Sequence, residues 1–284
     1  YRGYDIWEIP PNGQGITALI ALNILEGFEM ERYPLLSSAR LHLVIEALKL
    51  AFADAHRYVA DPSLVDVPAK GLLSKAYAEA RRKLIDPLRA MPGPEPGDPL
   101  GDTVYLCAAD RDGRMVSFIQ SNYMGFGSGV VVPGTGITLQ NRGCGFSLED
   151  GHPNLYAPSK RPFHTIIPSF ITKDGVPLAA YGVMGGDMQP QGHMQVVSNI
   201  IDYGMNPQAA IDAPRVRVLM EGGVAIEPTV NPEVVRELAQ LGHGVKIDAE
   251  MAGFGGGQMI WRDPVSGIYI AGSEPRKDGL ALAL

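Results

Sequence analysis

Hydrophobic periodicity divides the chain into a helical opening, residues 1–87, and a β-rich remainder. Ile16, Leu19, Ile20 and Ile24 recur at helical spacing, and Gly27 supplies a stop. Leu41, Val44, Ile45, Leu48 and Phe52 form a longer stripe that Ser37 or Ser38 can cap and that ends before Asp61-Pro62. A one-sided stripe leaves Glu46, Lys49, Asp54 and Arg57 on the remaining faces, where a solvated surface is expected. A third helix is expected over about Ser74 to Ile85, with Arg81, Arg82 and Lys83 where cations suit the C-terminal end of the dipole. The first residues, Tyr1 to Pro11, read as a strand already inside a domain, so the chain is expected to be a piece of something longer.

The pattern breaks between Asp86 and Gly101, where five prolines and three glycines exclude helix and interior strand. Composition alone makes this run an inter-domain linker. From Thr103 the period becomes that of β-structure. Val104–Ala109 and Met115–Ser121 flank Arg111-Asp112-Gly113, a hairpin signal, and Thr165–Thr172 and Pro177–Val183 flank a second, Lys173-Asp174-Gly175. A short pair is expected at Val130–Val132 and Ile137–Gln140 around Pro133-Gly134. A helix is expected from Asp187 to Gly204, and Asn206-Pro207 and Asn231-Pro232 each read as an N-cap followed by proline at the first helical position, with Gly242 closing the second. Gln258–Trp261 and Ile268–Ala271 supply late strands, giving sheets layered with helices.

Composition narrows the function. The 284 residues are 45% hydrophobic and 19% charged, enough for a full core. A net charge of −7 provides no footprint for nucleic acid or an anionic membrane. No stretch approaches the roughly 20 apolar residues of a membrane-spanning helix. Compartment stays open between cytoplasm and periplasm. Two cysteines, Cys107 and Cys144, cannot build a disulfide scaffold, and Cys107 is expected to act as a small core residue. The six histidines show no metal-binding spacing, and Gly253–Gly257 lacks the Lys-Ser/Thr ending of a phosphate loop. No cofactor is implied.

Two segments carry candidate chemistry. Asp102-Thr103 places a hydroxyl at the start of the first β-hairpin, directly after the Pro/Gly run. In Tyr181–Gln191 a strand runs into Gly185-Gly186 and a helix begins at once. Free N–H groups at a helix N-terminus, approached closely over glycine, suit an oxyanion, although a plain tight turn has the same pattern.

Taken in order, Tyr1-Arg-Gly-Tyr, Pro10-Pro11-Asn-Gly-Gln-Gly15, Thr103, the Val104–Asp110 and Val116–Ser121 hairpin, Phe126-Gly-Ser-Gly129, Asn141, Phe146-Ser147, Lys160-Arg-Pro162, Gly185-Gly186, Asp202-Tyr-Gly204, Ala213-Pro-Arg215 and Pro275-Arg276 resemble the gamma-glutamyltransferase family of N-terminal-nucleophile hydrolases. The resemblance covers nearly the whole chain. It implies an α+β fold, a four-layer αββα sandwich, with residues 1–86 as the mostly helical C-terminal part of a large subunit, 87–102 as a processing linker, and 103–284 as the small-subunit nucleophile domain. It also implies an N-terminal half that is not in this chain, without which the sandwich is incomplete and the isolated chain is expected to be catalytically poor.

The mechanism implied is self-processing of the zymogen. Thr103 attacks the Asp102 carbonyl, the chain splits into a large/small subunit heterodimer, and the freed α-amine of Thr103 serves as base for its own hydroxyl. An α-amine titrates near pH 8, which suits that task. Ser121 falls where the family places a hydroxyl against the nucleophile, and Gly185 and Gly186 fall on its oxyanion glycines. The substrate would be a small-molecule amide, and the acyl acceptor water or an amine. At the positions that hold the glutamyl group in glutathione enzymes this chain departs: Tyr123 replaces an asparagine, Arg142 a glutamine, Gly145 an acid and His164 a serine, while Thr165 keeps a hydroxyl. Losing the acid removes a partner for an ammonium, and gaining Arg142 favours a carboxylate. These segments look more like the branch with oxamate amidohydrolase and cephalosporin-type acylases. The competing expectation is a non-catalytic or truncated member in which Thr103 stays internal.

Overall fold

The computed structural model describes residues 1–92 and 102–283; residues 93–101 of the expected linker, and the side chain of Asp102, lie outside that part. The centre is an antiparallel five-stranded sheet in the order β1 (Asp5–Glu8), β4 (Ser169–Lys173), β5 (Val176–Met184), β9 (Gly256–Arg262), β10 (Tyr269–Ser273). The hairpin β2 (Asp102–Ala109) and β3 (Met115–Tyr123) packs over β5 and β9. Gly182 on β5 allows this: a Cβ there would lie 2.6 Å from the Tyr105 ring. The opposite face carries α1 (Gly15–Leu25) and α5 (Met188–Ile201), with α2 (Ser38–Tyr58) packed on α1. His193 on α5 ties these layers together. Its Nε2 accepts the Val183 N–H at 2.9 Å, so its Nδ1 donates to the buried Glu8 carboxylate at 2.7 Å.

Two short helices, α3 (Ala69–Leu72) and α4 (Lys75–Arg82), follow α2. Beyond α5 come α6 (Pro207–Asp212), α7 (Pro232–Gln240) and a small sheet of β6 (Val216–Val218), β7 (Val224–Ile226) and β8 (Val245–Ile247). The expected caps are present: Ser37 accepts from Arg40 N, Asn206 from Ala209 N and Asn231 from Glu233 N, and Ser74, not read as a cap, accepts from Tyr77 N. One hydrophobic core joins the helical opening to the later sheet, from Ile16 and Leu48 to Val183 and Met259.

Several expectations are corrected. Glu46, Lys49 and Asp54 are buried; only Arg57 of that set is exposed. The reason is that α2 is covered by α1, α7 and β6 and has no single wet face. Val130–Val132 and Ile137–Gln140 pair as expected but only briefly, through the antiparallel bridge Val131–Thr138 and the flanking bonds from Val132 N to the Ile137 carbonyl and from Leu139 N to the Val130 carbonyl. Both cysteines are free; Cys107 is half-buried, and burial pushes its thiol up to about 12. Among the described residues no helix is long and apolar enough to cross a membrane.

The outer face of the β2–β3 hairpin is apolar and bare. Val104 is 67% exposed and Phe118 49%, with Leu106 and Val116 beside them.

Candidate active site

Antiparallel pairing runs evenly along β2 and β3 until its end, where Thr103 pairs with Ser121 but Asp102 pairs with Tyr123. The register slips at the Asp102–Thr103 bond and leaves Asn122 in a bulge, a device that re-aims side chains at strand ends. There the Thr103 hydroxyl donates to Ser121 Oγ at 3.0 Å, and Ser121 Oγ also accepts the Tyr123 N–H at 2.9 Å. Tyr123 has φ +81, a left-handed conformation costing a bulky residue on the order of 1–2 kcal/mol. Strain and bulge thus sit together at the bond singled out by sequence.

Across from it, β5 ends at Met184 and α5 begins at Met188. Gly185 has φ +128 and Gly186 φ +58, and a Cβ on Gly185 would press within 3.1 Å of Gly255 Cα. The carbonyls of Gly185 and Gly186 start the helix by accepting from Met188 and Gln189. Within the described part of the chain no acceptor takes the N–H of either glycine. Thr103, Ser121 and Gly185 line one cleft of about 640 Å³. Gly186 lies buried behind it, its carbonyl held by Gln14 Nε2 at 2.9 Å.

Gln14 was read in sequence only as part of a Pro/Gly turn. The structure makes it a connector. The same amide nitrogen donates to the Thr165 carbonyl at 2.6 Å, and Gln14 N donates to the His164 carbonyl at 2.8 Å. Fully buried, Gln14 fixes the 164–165 segment to the glycine turn. No sequence signal separates it from an ordinary turn glutamine.

The substrate-side residues gather at a second cleft of about 560 Å³, whose walls include Tyr123, Gly145, His152, Thr165 and Asp187. Arg142 lies behind this wall, 5% exposed. Its guanidinium stacks on the Tyr123 ring at 5.1 Å and donates through Nη1 to Thr165 Oγ1 at 2.9 Å, while Nη2 is buried with no partner among the described residues. Burial lowers the Arg142 pKa; burial and the neighbouring Arg142 push His164 down to about 4. His164 lines neither cleft, and its backbone pairs with the Asn12–Gln14 turn. Arg142, Tyr123 and Thr165 thus lie against one another, while the His164 backbone holds the neighbouring segment from outside both clefts.

Folding also assembles three possible metal ligands that sequence spacing did not reveal: His42, Glu46 and His243, all buried, with ligand atoms within 4.8 Å. Their hydrogen bonds do not fit a cation. His42 Nε2 must donate to the Asp86 carbonyl (2.8 Å), so its Nδ1 accepts from His243 Nε2 (2.7 Å), and His243 Nδ1 is left facing Lys49 Nζ (3.4 Å). Lys49 also donates to Glu46 (2.9 Å) and to the Met91 carbonyl (2.8 Å), and Glu46 accepts the Met91 N–H (3.0 Å). An ammonium already holds the centre, and His243 presents opposite nitrogens to His42 and to Lys49. The network anchors Met91, inside the expected linker.

A family model described as Gamma-glutamyltranspeptidase matches residues 1–284. The chain is 38% identical over its whole length to a glutathione hydrolase-like YwrD proenzyme of Bacillus subtilis, covering 55% of that protein. It is 35% identical to an oxamate amidohydrolase proenzyme of Klebsiella pneumoniae, covering 97% of this chain and 53% of the relative. Among solved structures, a cephalosporin acylase from Bacillus halodurans superposes with a TM-score of 0.92 at 55% identity, covering 99% of this chain and 51% of that one. The chain thus spans about half the length of the relatives it matches, and it shares their α+β sandwich fold.

Proposed function

Because the chain belongs to the gamma-glutamyltranspeptidase family, we propose that it is the nucleophile-bearing part of a self-processing amidohydrolase or acyltransferase that acts through Thr103. The observation that carries this reading is the Thr103 hydroxyl, set by a bulge against Ser121 and facing the same cleft as Gly185. The processing step is an N-to-O acyl shift. Thr103 Oγ adds to the Asp102 carbonyl carbon, its proton passing first to Ser121; the C–N bond breaks as nitrogen takes up a proton; and water then hydrolyses the ester to give a new carboxylate and a free α-amine. In turnover that amine accepts the proton of Thr103 Oγ as the hydroxyl attacks the substrate amide. Negative charge developing on the carbonyl oxygen is met by the N–H groups of Gly185 and Gly186. One such donor is worth about 10²–10³ in rate where this has been measured. The protonated amine departs, and water or a second amine releases the acyl group.

The acyl group is read by Arg142. A buried guanidinium with an unused nitrogen and no acidic partner calls for an anionic acceptor, and Gly145 supplies no acid for an ammonium. The favoured acyl group is therefore a small one ending in a carboxylate without need of an α-amino group. The bare apolar face of β2–β3 would be covered by part of the length that the relatives have beyond the matched half.

The test is a panel of gamma-glutamyl, glutaryl and cephalosporin amides and oxamate, with the acyl-enzyme trapped by acid quench and located by mass. The reading expects the acyl mass on Thr103 and a glutaryl amide preferred over its neutral butyryl counterpart. Arg142→Ala should remove that preference by raising KM at least about ten-fold for the acidic amide alone, a loss of about 1.4 kcal/mol. Acylation at another residue would overturn the assignment of Thr103, and equal turnover of acidic and neutral acyl groups would overturn that of Arg142.

A further inference from the structure

The Gly185-Gly186 turn has no side chain of its own to lock it, and both glycines take positive φ, where a peptide group can rotate at little steric cost. Its carbonyls make bonds within the first turn of α5, Gly185 O to Met188 N at 3.0 Å and Gly186 O to Gln189 N at 3.2 Å. Among the described residues, the hydrogen bond that reaches the turn from another element is the one from Gln14 Nε2 to Gly186 O, at 2.9 Å. The same nitrogen meets the Thr165 carbonyl at 2.6 Å, and only an –NH2 group can donate to two carbonyls, which fixes the orientation of the amide. Oε1 is then left buried without a partner among the described residues. A buried acceptor with no donor lowers stability, so the orientation is kept for what the nitrogen grips. The root of the side chain is immobile as well. Gln14 O accepts Thr17 N at 2.9 Å where α1 begins, Gln14 N donates to the His164 carbonyl at 2.8 Å, and a Cβ on the next residue, Gly15, would lie 2.6 Å from Glu8 Cβ.

We propose that Gln14 is a positioning residue for the oxyanion site: it holds the Gly186 carbonyl so that the peptide groups of the turn keep their N–H bonds directed at the reacting carbonyl. This rests on the reading of Thr103 as nucleophile and of the two glycines as its oxyanion donors. Removing the Gln14 amide falls on the turn rather than on the acyl side, because the two carbonyls it grips are unequally supported. The Thr165 segment keeps the bond from Arg142 Nη1 to Thr165 Oγ1 at 2.9 Å, the bond from His164 N to the Asn12 carbonyl at 3.0 Å and the bond from Ile167 N to Gln189 Oε1 at 3.1 Å. Gly186 O keeps only the 3.2 Å bond from Gln189 N, three residues along the same chain. Acyl recognition therefore survives without Gln14, while the donors that meet the developing charge lose their fixed direction. Preorganised donors act by being in place before the charge appears, so the loss is one of rate and not of substrate binding.

The experiment uses the complete processed protein, a glutaryl 4-nitroanilide for kinetics, and amide hydrogen exchange of the 184–190 segment, which needs no turnover. Gln14→Met removes both donors at nearly constant volume. It is expected to lower kcat about 10- to 100-fold, the scale of a misplacement of about 1 Å, and to leave KM within about two-fold. Exchange across the turn should quicken at least about ten-fold. Gln14→Glu is the second variant, read at about pH 8 in the same way if Gln14→Met does not fold. Its carboxylate would face two carbonyl oxygens, so only the protonated acid can donate, and burial lifts its pKa toward neutrality. Its kcat relative to wild type should therefore rise at least about ten-fold between about pH 8 and pH 5.5, a dependence that a simple packing defect does not produce. A raised KM with kcat unchanged, exchange equal to wild type in Gln14→Met, or a kcat ratio for Gln14→Glu that does not vary with pH would each overturn the proposal. If the wild-type protein hydrolyses no amide, the nucleophile reading fails, and hydrogen exchange still decides whether Gln14 holds the turn.

Discussion

Replacing Lys49 with methionine should cost the fold about 3–5 kcal/mol, the usual penalty for removing one partner of a buried ion pair. Glu46 has no exposed side-chain surface and Lys49 only 6%, so water cannot replace the lost ammonium. The substitution deletes three hydrogen bonds, to Glu46, to the Met91 carbonyl and to His243 Nδ1, and leaves the Glu46 carboxylate with the Met91 N–H but no cation. For a chain of this size each kcal/mol moves the melting temperature by about 2 °C, so a drop of about 6–10 °C is expected. Glu46→Gln with Lys49→Met removes both charges at nearly constant volume, and this double variant should be more stable than Lys49→Met alone. Urea unfolding followed by tryptophan fluorescence, with reversibility checked, measures the wild type, Lys49→Met, Glu46→Gln and the double variant. A loss below about 1 kcal/mol in Lys49→Met, or a double variant as unstable as the sum of the singles, would refute the picture of a closed, charge-balanced anchor at Met91.

Gly185→Ala must place a Cβ at φ +128 and against Gly255, so the turn shifts. Turnover is expected to fall about 10²–10³-fold with KM little changed, and unchanged kcat would remove Gly185 from the oxyanion site. Stability should also depend on acid. His243 is held near 3 by burial, Lys49 and His42, and His164 near 4 by burial and Arg142, both below the ordinary 6.5. Between about pH 6.5 and 4 the unfolded chain binds these protons and the folded one does not, so stability falls as pH falls. Each fully coupled histidine steepens the loss by about 1.4 kcal/mol per pH unit, and His243→Gln should flatten the curve measured by urea midpoints.

How far the fold could be read in advance depended on whether the deciding interactions were local. Caps at Ser37, Asn206 and Asn231 and the two Asp-Gly hairpins are settled within a few residues, and all were legible. The small sheet was not, because β6, β7 and β8 have three residues each and offer no period to count. The burial of Glu46 and Lys49 was hidden because their partners come from Met91 and from His243, far along the chain. Thr103 and Gly185-Gly186 stood out through their setting between breaker and strand or strand and helix. Gln14 acquires meaning only when the clefts exist, since an isolated glutamine carries no signal of what it will face.

The measurement closest to the central claim is the mass and N-terminal sequence of the protein after prolonged incubation in its complete form. Cleavage of this chain should yield segments of 102 and 182 residues, the second beginning with Thr103, and Thr103→Ala should remain whole. A chain that stays intact in the complete wild-type protein, or one that is cut at the same bond in Thr103→Ala, would contradict the account.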